Sequence, residues 1–421
     1  MNGVRFCFLT TFYPPCNFGG DGIGIQRLAR GLVRAGHRVT VIHDADAYTA
    51  LGGAPAQDAP LEPPGLDVIP LRSGVGALSP LLTHQFGRPV LNGRRIRQLL
   101  REGGYDVINF HNVSLIGGPG ILKYGEALKL YMAHEHWLVC PTHVLWRHAR
   151  ELCTGRQCGR CQLAYRRPPQ LWRWTGYLER QLAHVHAFIA MSAFSREKHR
   201  EFGFSREMEV LPYFLPDGVE EAPTDRLPRP HVRPYFLFVG RLERIKGVQD
   251  VLPAFGGDGE TDFLIAGDGE YREELQVRAA GMARVRFLGR VASDDLARFY
   301  RHAVALIVPS VCFETFGIIL IEAFRQSTPV IARRLGPFPE IVTASGGGEL
   351  FDSPGELLAA IGRLHRDPGY RDRLASAGHE AFQSRWSDRV VVPQYLDIVR
   401  RTAERQGRER LAALLSPRRE I

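Results

Sequence analysis

The chain has 421 residues, 44% of them hydrophobic and 24% charged, with 44 Gly and 28 Pro. That length suits two domains of roughly 200 residues each, and the composition excludes a fibrous or largely disordered chain. The formal net charge of +9 favours anionic partners such as nucleotide diphosphates, acidic lipids or nucleic acid.

The opening segment MNGVRFCFLTTFYPP has only a short apolar run before Pro14 and Pro15 and no basic leader, so it does not read as a signal peptide. No run reaches about 18 consecutive apolar residues, the length of a membrane span. A cytoplasmic chain is expected, with its seven cysteines reduced or metal-bound.

Val4–Thr10 (VRFCFLT) reads as a strand, followed by a Gly-rich loop, a helix from Ile25 to Ala35 ending at Gly36, and a second strand, Arg38–His43. Further strands are expected at Asp106–Phe110, Lys129–Ala133 and Ala187–Met191. The stretch Pro212 to Pro234 has many prolines and charges and no periodic apolar face, which marks a linker. The alternation then restarts with strands at Tyr235–Val239, Thr261–Ala266, Arg284–Leu288, Ala303–Pro309 and Pro329–Ala332. Strands alternating with helices twice over predict two doubly wound α/β domains facing each other. The boundaries read as an N-terminal Rossmann-like acceptor domain at 1–211, a linker at 212–234 and a C-terminal donor domain at 235–385. A last helix and basic tail occupy 386–421.

The chemistry concentrates between Gly240 and Glu340. The strand Tyr235–Val239 runs into Gly240-Arg241, with Lys246-Gly247 after it. Glycine at a strand's carboxyl end lets backbone approach a ligand where open α/β sheets bind one. Arg241 and Lys246 are two cations suited to holding a diphosphate and stabilising it as it leaves. The strand Thr261–Ala266 ends in Gly267-Asp268-Gly269. After Pro309-Ser310 come Glu314, Phe316, Gly317 and Ile318, with Glu322 eight residues beyond Glu314. Backbone N–H groups opening that helix can receive phosphate oxygens.

These elements resemble the retaining GT-B glycosyltransferases of family 4, the sucrose synthase-like and mannosyltransferase group. The resemblance rests on Gly-Arg…Lys-Gly, on Glu-x7-Glu, and on Gly336 with Pro339-Glu340. It implies a GT-B fold, with two Rossmann-like domains facing across a cleft, and sugar transfer from a UDP- or GDP-linked donor. The acceptor would be a saccharide, a lipid-linked molecule or a small molecule. Arg241 and Lys246 would bind the diphosphate, Glu314 the donor sugar and Glu322 the ribose. Gly240, Gly267, Phe316, Gly317 and Ile318 would line the donor site, and no metal or cofactor would be needed for catalysis. In the N-terminal half, the loop containing Gly19 and Gly20 would face the donor phosphates. His134 would stand near the reacting centre, and His111 on the acceptor side. The segment Asp217-Gly218-Val219 departs from the family's Asn before Gly-Val, which leaves the hinge-side contacts unassigned.

Two features lie outside that pattern. Cys153, Cys158 and Cys161, with Cys140 upstream, have a spacing that can close a tetrahedral structural zinc site, in an insert spanning about 140–180. Around them Trp146, Trp172 and Trp174 interleave with arginines. A helix over Gln170–His184, joined by Asn92–Arg101, would suit a peripheral contact with the inner membrane. Nucleic acid is not expected, because no fold signature for it is present. The rival readings are a nucleotide-sugar epimerase or hydrolase on the same fold, a non-catalytic binding scaffold, and an NAD-dependent oxidoreductase. The last is suggested by Asp44, about 20 residues after Gly24. Asp44-Ala-Asp46 itself reads as a strand-end turn, not a metal ligand pair.

Overall fold

The computed structural model describes residues 3–54, 61–217 and 229–416. Gly218 and Val219, the charged middle of the expected linker, and the last five residues of the basic tail lie outside them. The chain divides into two compact units, Met1–Tyr213 with Val391–Ile421, and Phe214–Val390.

In the first unit β1 (Arg5–Thr10) leads into α1 (Gly20–Arg34), β2 (Arg38–Asp44), α2 (Ala45–Ala50) and β3 (Leu66–Leu71). Helices α3 (Leu78–Phe86) and α4 (Gly93–Glu102) precede β4 (Val107–Phe110) and β5 (Leu128–Ala133). The Cys-rich insert forms a small antiparallel hairpin, β6 (Trp146–Arg147) with β7 (Glu151–Leu152), and then α5 (Cys158–Ala164). Helix α6 (Tyr177–Leu182), β8 (Ala187–Ala190), α7 (Ala193–Glu201) and β9 (Met208–Val210) follow. The seven strands outside the hairpin pair in parallel in the order β3-β2-β1-β4-β5-β8-β9. Strands β4, β5 and β8 are buried at every residue, as a sheet covered by helices on both faces requires.

The second unit runs β10 (Tyr235–Val239), β11 (Asp262–Ala266), α8 (Arg272–Arg278), β12 (Val285–Gly289), α9 (Ser293–Arg301) and β13 (Ala305–Val308). It continues through α10 (Ile318–Arg325), β14 (Val330–Arg333), α11 (Phe338–Ser345), β15 (Gly348–Phe351), α12 (Pro354–Arg366) and α13 (Pro368–Ala381). Its parallel order is β12-β11-β10-β13-β14-β15. Helix α14 (Asp388–Arg405) begins here, and its later turns group with the first unit, as does α15 (Glu409–Leu415). Strand order reverses between β1 and β4 and between β10 and β13, the places where such sheets bind ligands at their carboxyl edges.

Several local expectations change. Helix α1 starts at Gly20, five residues before the apolar pattern begins, because the Gly-rich run is itself helical. Three strands have no strong signal in the sequence: β3 carries Pro70, tolerated because it sits at the sheet edge, and β9 and β15 are short edge strands. The single helix expected over Gln170–His184 does not form. A 3-10 turn at Leu171–Trp174 stops at Gly176, whose φ of 66° is left-handed, and α6 starts afresh after it. Trp146 and Trp172 turn inward, and only Trp174 is exposed. The basic tail is ordered as α15, with Leu411 and Ala412 buried.

The carboxyl ends of β10 and β11 press together. Gly240 N–H donates to Ala266 O (3.0 Å) and Gly267 N–H to Gly289 O (2.7 Å). Gly267 has φ +148°, and a Cβ there would stand 1.8 Å from Gly240 O. Gly267→Ala therefore meets both a forbidden backbone conformation and a backbone clash. The expected result is a loss of roughly 2–4 kcal/mol in unfolding free energy, read by urea denaturation. A loss below about 0.5 kcal/mol, the size of an ordinary surface change, would contradict this account of the strand ends.

Candidate functional site

In the second unit the predicted donor residues gather at the β10/β13 reversal. Lys246 closes a 3-10 turn, Arg244–Lys246, after β10, and Glu314 lies on the loop after β13. Lys246 Nζ stands 2.6 Å from Glu314 Oε1, with side chains 21% and 25% exposed. Ser310 Oγ donates to the same oxygen at 3.1 Å. Burial alone would push Glu314 up, but the Lys246 charge and the hydrogen bonds from Lys246 and Ser310 outweigh it and hold the carboxyl below the ordinary range. Burial likewise opposes the Lys246 charge, and Glu314 more than offsets it, raising that pKa. The two shifts agree: around neutral pH both groups are ionised.

The neighbouring residues complete a polar rim. Arg241, directly after Gly240, pairs with Glu243 at 2.7 Å and remains 57% exposed. Gly317 precedes the first turn of α10, which opens at Ile318, while Phe316 is buried. Glu322, on the same helix, accepts from Tyr300 Oη at 3.1 Å. The donor residues named from the sequence in this unit thus lie at the β10 and β11 ends, on the β13–α10 connection and on α10 itself, while Gly19 and Gly20 belong to the first unit. Ser310 and Tyr300 were not foreseen, because a lone hydroxyl residue carries no spacing signal.

In the first unit the two predicted histidines are bonded to each other. His111 follows β4, His134 follows β5, and His111 Nδ1 meets His134 Nε2 at 2.8 Å. His134 Nδ1 meets Tyr213 Oη at 2.5 Å. Burial lowers His134 to about 3; burial and then the neighbouring His134 hold His111 well below the ordinary imidazole range. Both rings are neutral at neutral pH, with one N–H each. His111 Nε2 is buried without a partner, and an orphaned acceptor costs less than an orphaned N–H. The favoured order therefore has His111 donating to His134, and His134 donating to Tyr213. His111 has no exposed surface; besides its bond to His134, its ring packs on Phe8 at 4.6 Å. Tyr213 went unnoticed because it sits in a segment that reads as linker. A Cβ at Gly24 would fall 2.2 Å from the Tyr213 ring, so the Gly-rich start of α1 packs against this cluster. Gly19 and Gly20 lie at the outer end of that helix.

The zinc expectation finds no support. Among the described residues no group of three or more His, Cys, Asp or Glu side chains is arranged to hold a metal ion. Three of the four thiols have local hydrogen-bond partners: Cys140 Sγ meets Thr142 Oγ1 (3.3 Å), Cys153 donates to Gly155 O (3.4 Å), and Cys161 Sγ accepts from His148 N–H (3.3 Å). Burial pushes the Cys158 thiol up. Asp44 caps α2 by accepting from Ala47 N–H at 3.0 Å, and Asp46 accepts from Ser73 N–H and Oγ. The expected strand-end turn is instead a strand running directly into α2, with Asp44 as its cap and Asp46 inside the helix.

The ion pair makes a prediction. Lys246→Met leaves Glu314 largely buried without its cation, so the carboxyl's folded pKa rises above the unfolded value of about 4.3. Such a group destabilises above that value, and protonation relieves it as pH falls. The wild type loses its own Glu314 contribution in the same acid range. The expected difference is about 1–3 kcal/mol near pH 7, shrinking below roughly pH 4, measured by thermal melts across pH. A difference independent of pH would show that the pair is not the cause.

Comparison with known proteins bears on the family and the fold. The model of the family described as Glycosyl transferases group 1 matches residues 221–381, and that of Glycosyltransferase Family 4 matches residues 18–216. An uncharacterized glycosyltransferase of Methanocaldococcus jannaschii is 28% identical over 180 residues, 41% of this chain; the match spans only 46% of that protein. Glycogen synthase of Mycobacterium tuberculosis is 26% identical over 445 residues, covering 97% of this chain and 98% of the relative. Among solved structures, Anabaena HepE in complex with UDP superposes with a TM-score of 0.65 at 18% identity, over 94% of this chain and 99% of that one. Two parallel Rossmann-like sheets with this strand order and these matches are the GT-B fold, and the chain belongs to glycosyltransferase family 4, the retaining transferases that use nucleotide-sugar donors.

Proposed function

We propose that this enzyme moves a hexosyl unit from a UDP- or GDP-linked donor to a saccharide or lipid-linked acceptor. The observation that carries the donor assignment is the Lys246–Glu314 pair at the β10/β13 reversal, with exposed Arg241 beside it. Two cations at one sheet edge, with the N-terminus of α10 at Gly317 and Ile318, suit a diphosphate. HepE, of the same fold, holds UDP, which supports that class of donor.

On this reading Arg241, Lys246 and the α10 N–H groups bind the diphosphate, and Gly240 and Gly267 let it approach the backbone. Glu314 contacts the sugar and Glu322 the ribose. The anomeric C–O bond to phosphate breaks with oxocarbenium character, and negative charge builds on the leaving oxygen where the cations stabilise it. The acceptor hydroxyl attacks from the same face, and its proton passes to the departing phosphate, which yields retention. No covalent enzyme intermediate is required. We assign His134 to the reacting centre, as a neutral hydrogen-bonding group and not as a cation. The reading includes a cytoplasmic location with peripheral contact to the inner membrane. Among the described residues no helix is long and apolar enough to cross one.

The test is a binding and hydrolysis screen of UDP- and GDP-sugars with wild type, Glu314→Gln and Lys246→Met. One donor should bind and hydrolyse slowly, and each variant should reduce hydrolysis by about 10²-fold, the scale of removing one transition-state charge partner. Failure of every sugar nucleotide to bind would overturn the donor assignment.

A further inference from the structure

Helix α3 is built inside out. An ordinary surface helix turns its apolar stripe to the core and its polar face to water. Here Ser79 and Thr83 are buried at 1% and 2% exposure, while Leu78, Leu81 and Phe86 are 48%, 49% and 55% exposed. The buried hydroxyl of Ser79 is tied to Asn92 Nδ2 at 3.4 Å, and Ser79, Pro80 and Thr83 form the inward side of the helix, which leaves the leucines outward. Val90 and Leu91, just beyond, are exposed too.

A second apolar group is fastened to the same helix end. Trp172 Nε1–H donates to His84 O at 2.9 Å, and a Cβ on Gly87 would meet the Trp172 ring at 3.0 Å. The flanking residues of that turn, Leu171 and Trp174, are 65% and 59% exposed. A contiguous apolar face of this kind marks an interaction site.

The charges around it have one sign. From Arg72 to Arg101 there are six arginines and no carboxylate, and all six are exposed. Between Leu152 and Trp172 there are four more exposed arginines, Arg156, Arg160, Arg166 and Arg167, and again no carboxylate. A protein partner is commonly met by charges of both signs, and nucleic acid is held by successive stacking rings, whereas most of the exposed apolar residues here, Leu78, Leu81, Val90, Leu91 and Leu171, are aliphatic. Leucine, phenylalanine and tryptophan between unopposed guanidiniums match an anionic bilayer surface, with hydrocarbon below and phosphates at the headgroup level.

We propose that the α3 face, with Leu171 and Trp174, is the surface on which this protein seats on an anionic membrane. The inference deepens the reading of a lipid-linked acceptor: an enzyme seated here meets its acceptor in the plane of the bilayer.

The test uses the full chain and phosphatidylcholine vesicles with and without about 30 mol% phosphatidylglycerol, read by flotation. Wild type should float with the anionic vesicles and much less with the neutral ones, with binding weakened by salt. Leu81→Ser/Phe86→Ser should lower anionic vesicle binding at least about tenfold through lost apolar burial. Arg94→Gln/Arg95→Gln should do so by a similar factor through lost attraction. Both variants change exposed positions and should keep wild-type hydrolysis of the donor sugar, which also controls for folding. Wild type that ignores anionic vesicles, or variants that float as wild type does, would overturn the proposal. So would self-association abolished by Leu81→Ser/Phe86→Ser, which would give the face to a second copy. Donor hydrolysis without vesicle binding removes this surface and leaves the transferase assignment standing; vesicle binding without donor binding does the reverse.

Discussion

A lysine and a glutamate 2.6 Å apart, on connections that follow adjacent strands, set the terms for the second unit. Each has lost most of its water, and each is kept ionised by the other. Removing either would strand a charge, so the two loops are held in mutual register by electrostatics and not by packing alone. The close approach of Gly240 and Gly267 supplies the mechanical counterpart, a sheet edge with no side chains between backbone and solvent. Charge and bare backbone together make an edge suited to phosphate, and the parallel topology places it at the point where strand order reverses.

Much of this was legible in the residues. The strands with continuous apolar runs, the restart of the pattern at Tyr235, and the order of Arg241, Lys246, Glu314 and Glu322 all carry position information in one dimension. What stayed hidden depends on neighbours far along the chain. Strand β3 was masked by Pro70, whose missing N–H costs nothing on an edge. Tyr213 looked like linker because its role comes only from folding against Gly24 and His134. Ser310 and Tyr300 act through one hydroxyl each, and hydroxyls are too common to stand out.

The Cys-rich insert shows where pattern reading overreached. Cysteine spacing and tryptophan–arginine alternation are compatible with a metal knuckle and with an interfacial helix. Among the described residues there is no group placed to hold a metal, and no single helix forms over 170–184. Among the described residues, five of the six non-glycine residues with positive φ, His143, Leu145, His148, Ala149 and Arg166, lie in this segment. Those reversals fold the segment into short turns, and the helix expected after it is broken at Gly176. Arg173, which the alternation would have sent to lipid, lies over the rings of Trp137 and Trp172 at 5.2 and 4.7 Å and donates to Trp137 O. Composition did not reveal which side chains face out: Trp146 and Trp172 turn inward.

The discontinuity of the first unit bears on how the protein is made. Its last helices bring Tyr395 to Asn109, where their side chains bond at 3.1 Å, and Arg401 to Glu209 at 3.0 Å. They bury Val391, Ile398 and Val399 as well. On the ribosome, the residues up to Tyr213 emerge long before these helices, so the nascent first unit has to wait with that apolar surface open. The second unit, encoded in one uninterrupted stretch, can close as soon as it leaves the exit tunnel. Synthesis therefore runs from amino to carboxyl end, while completion of the two units runs in the opposite order.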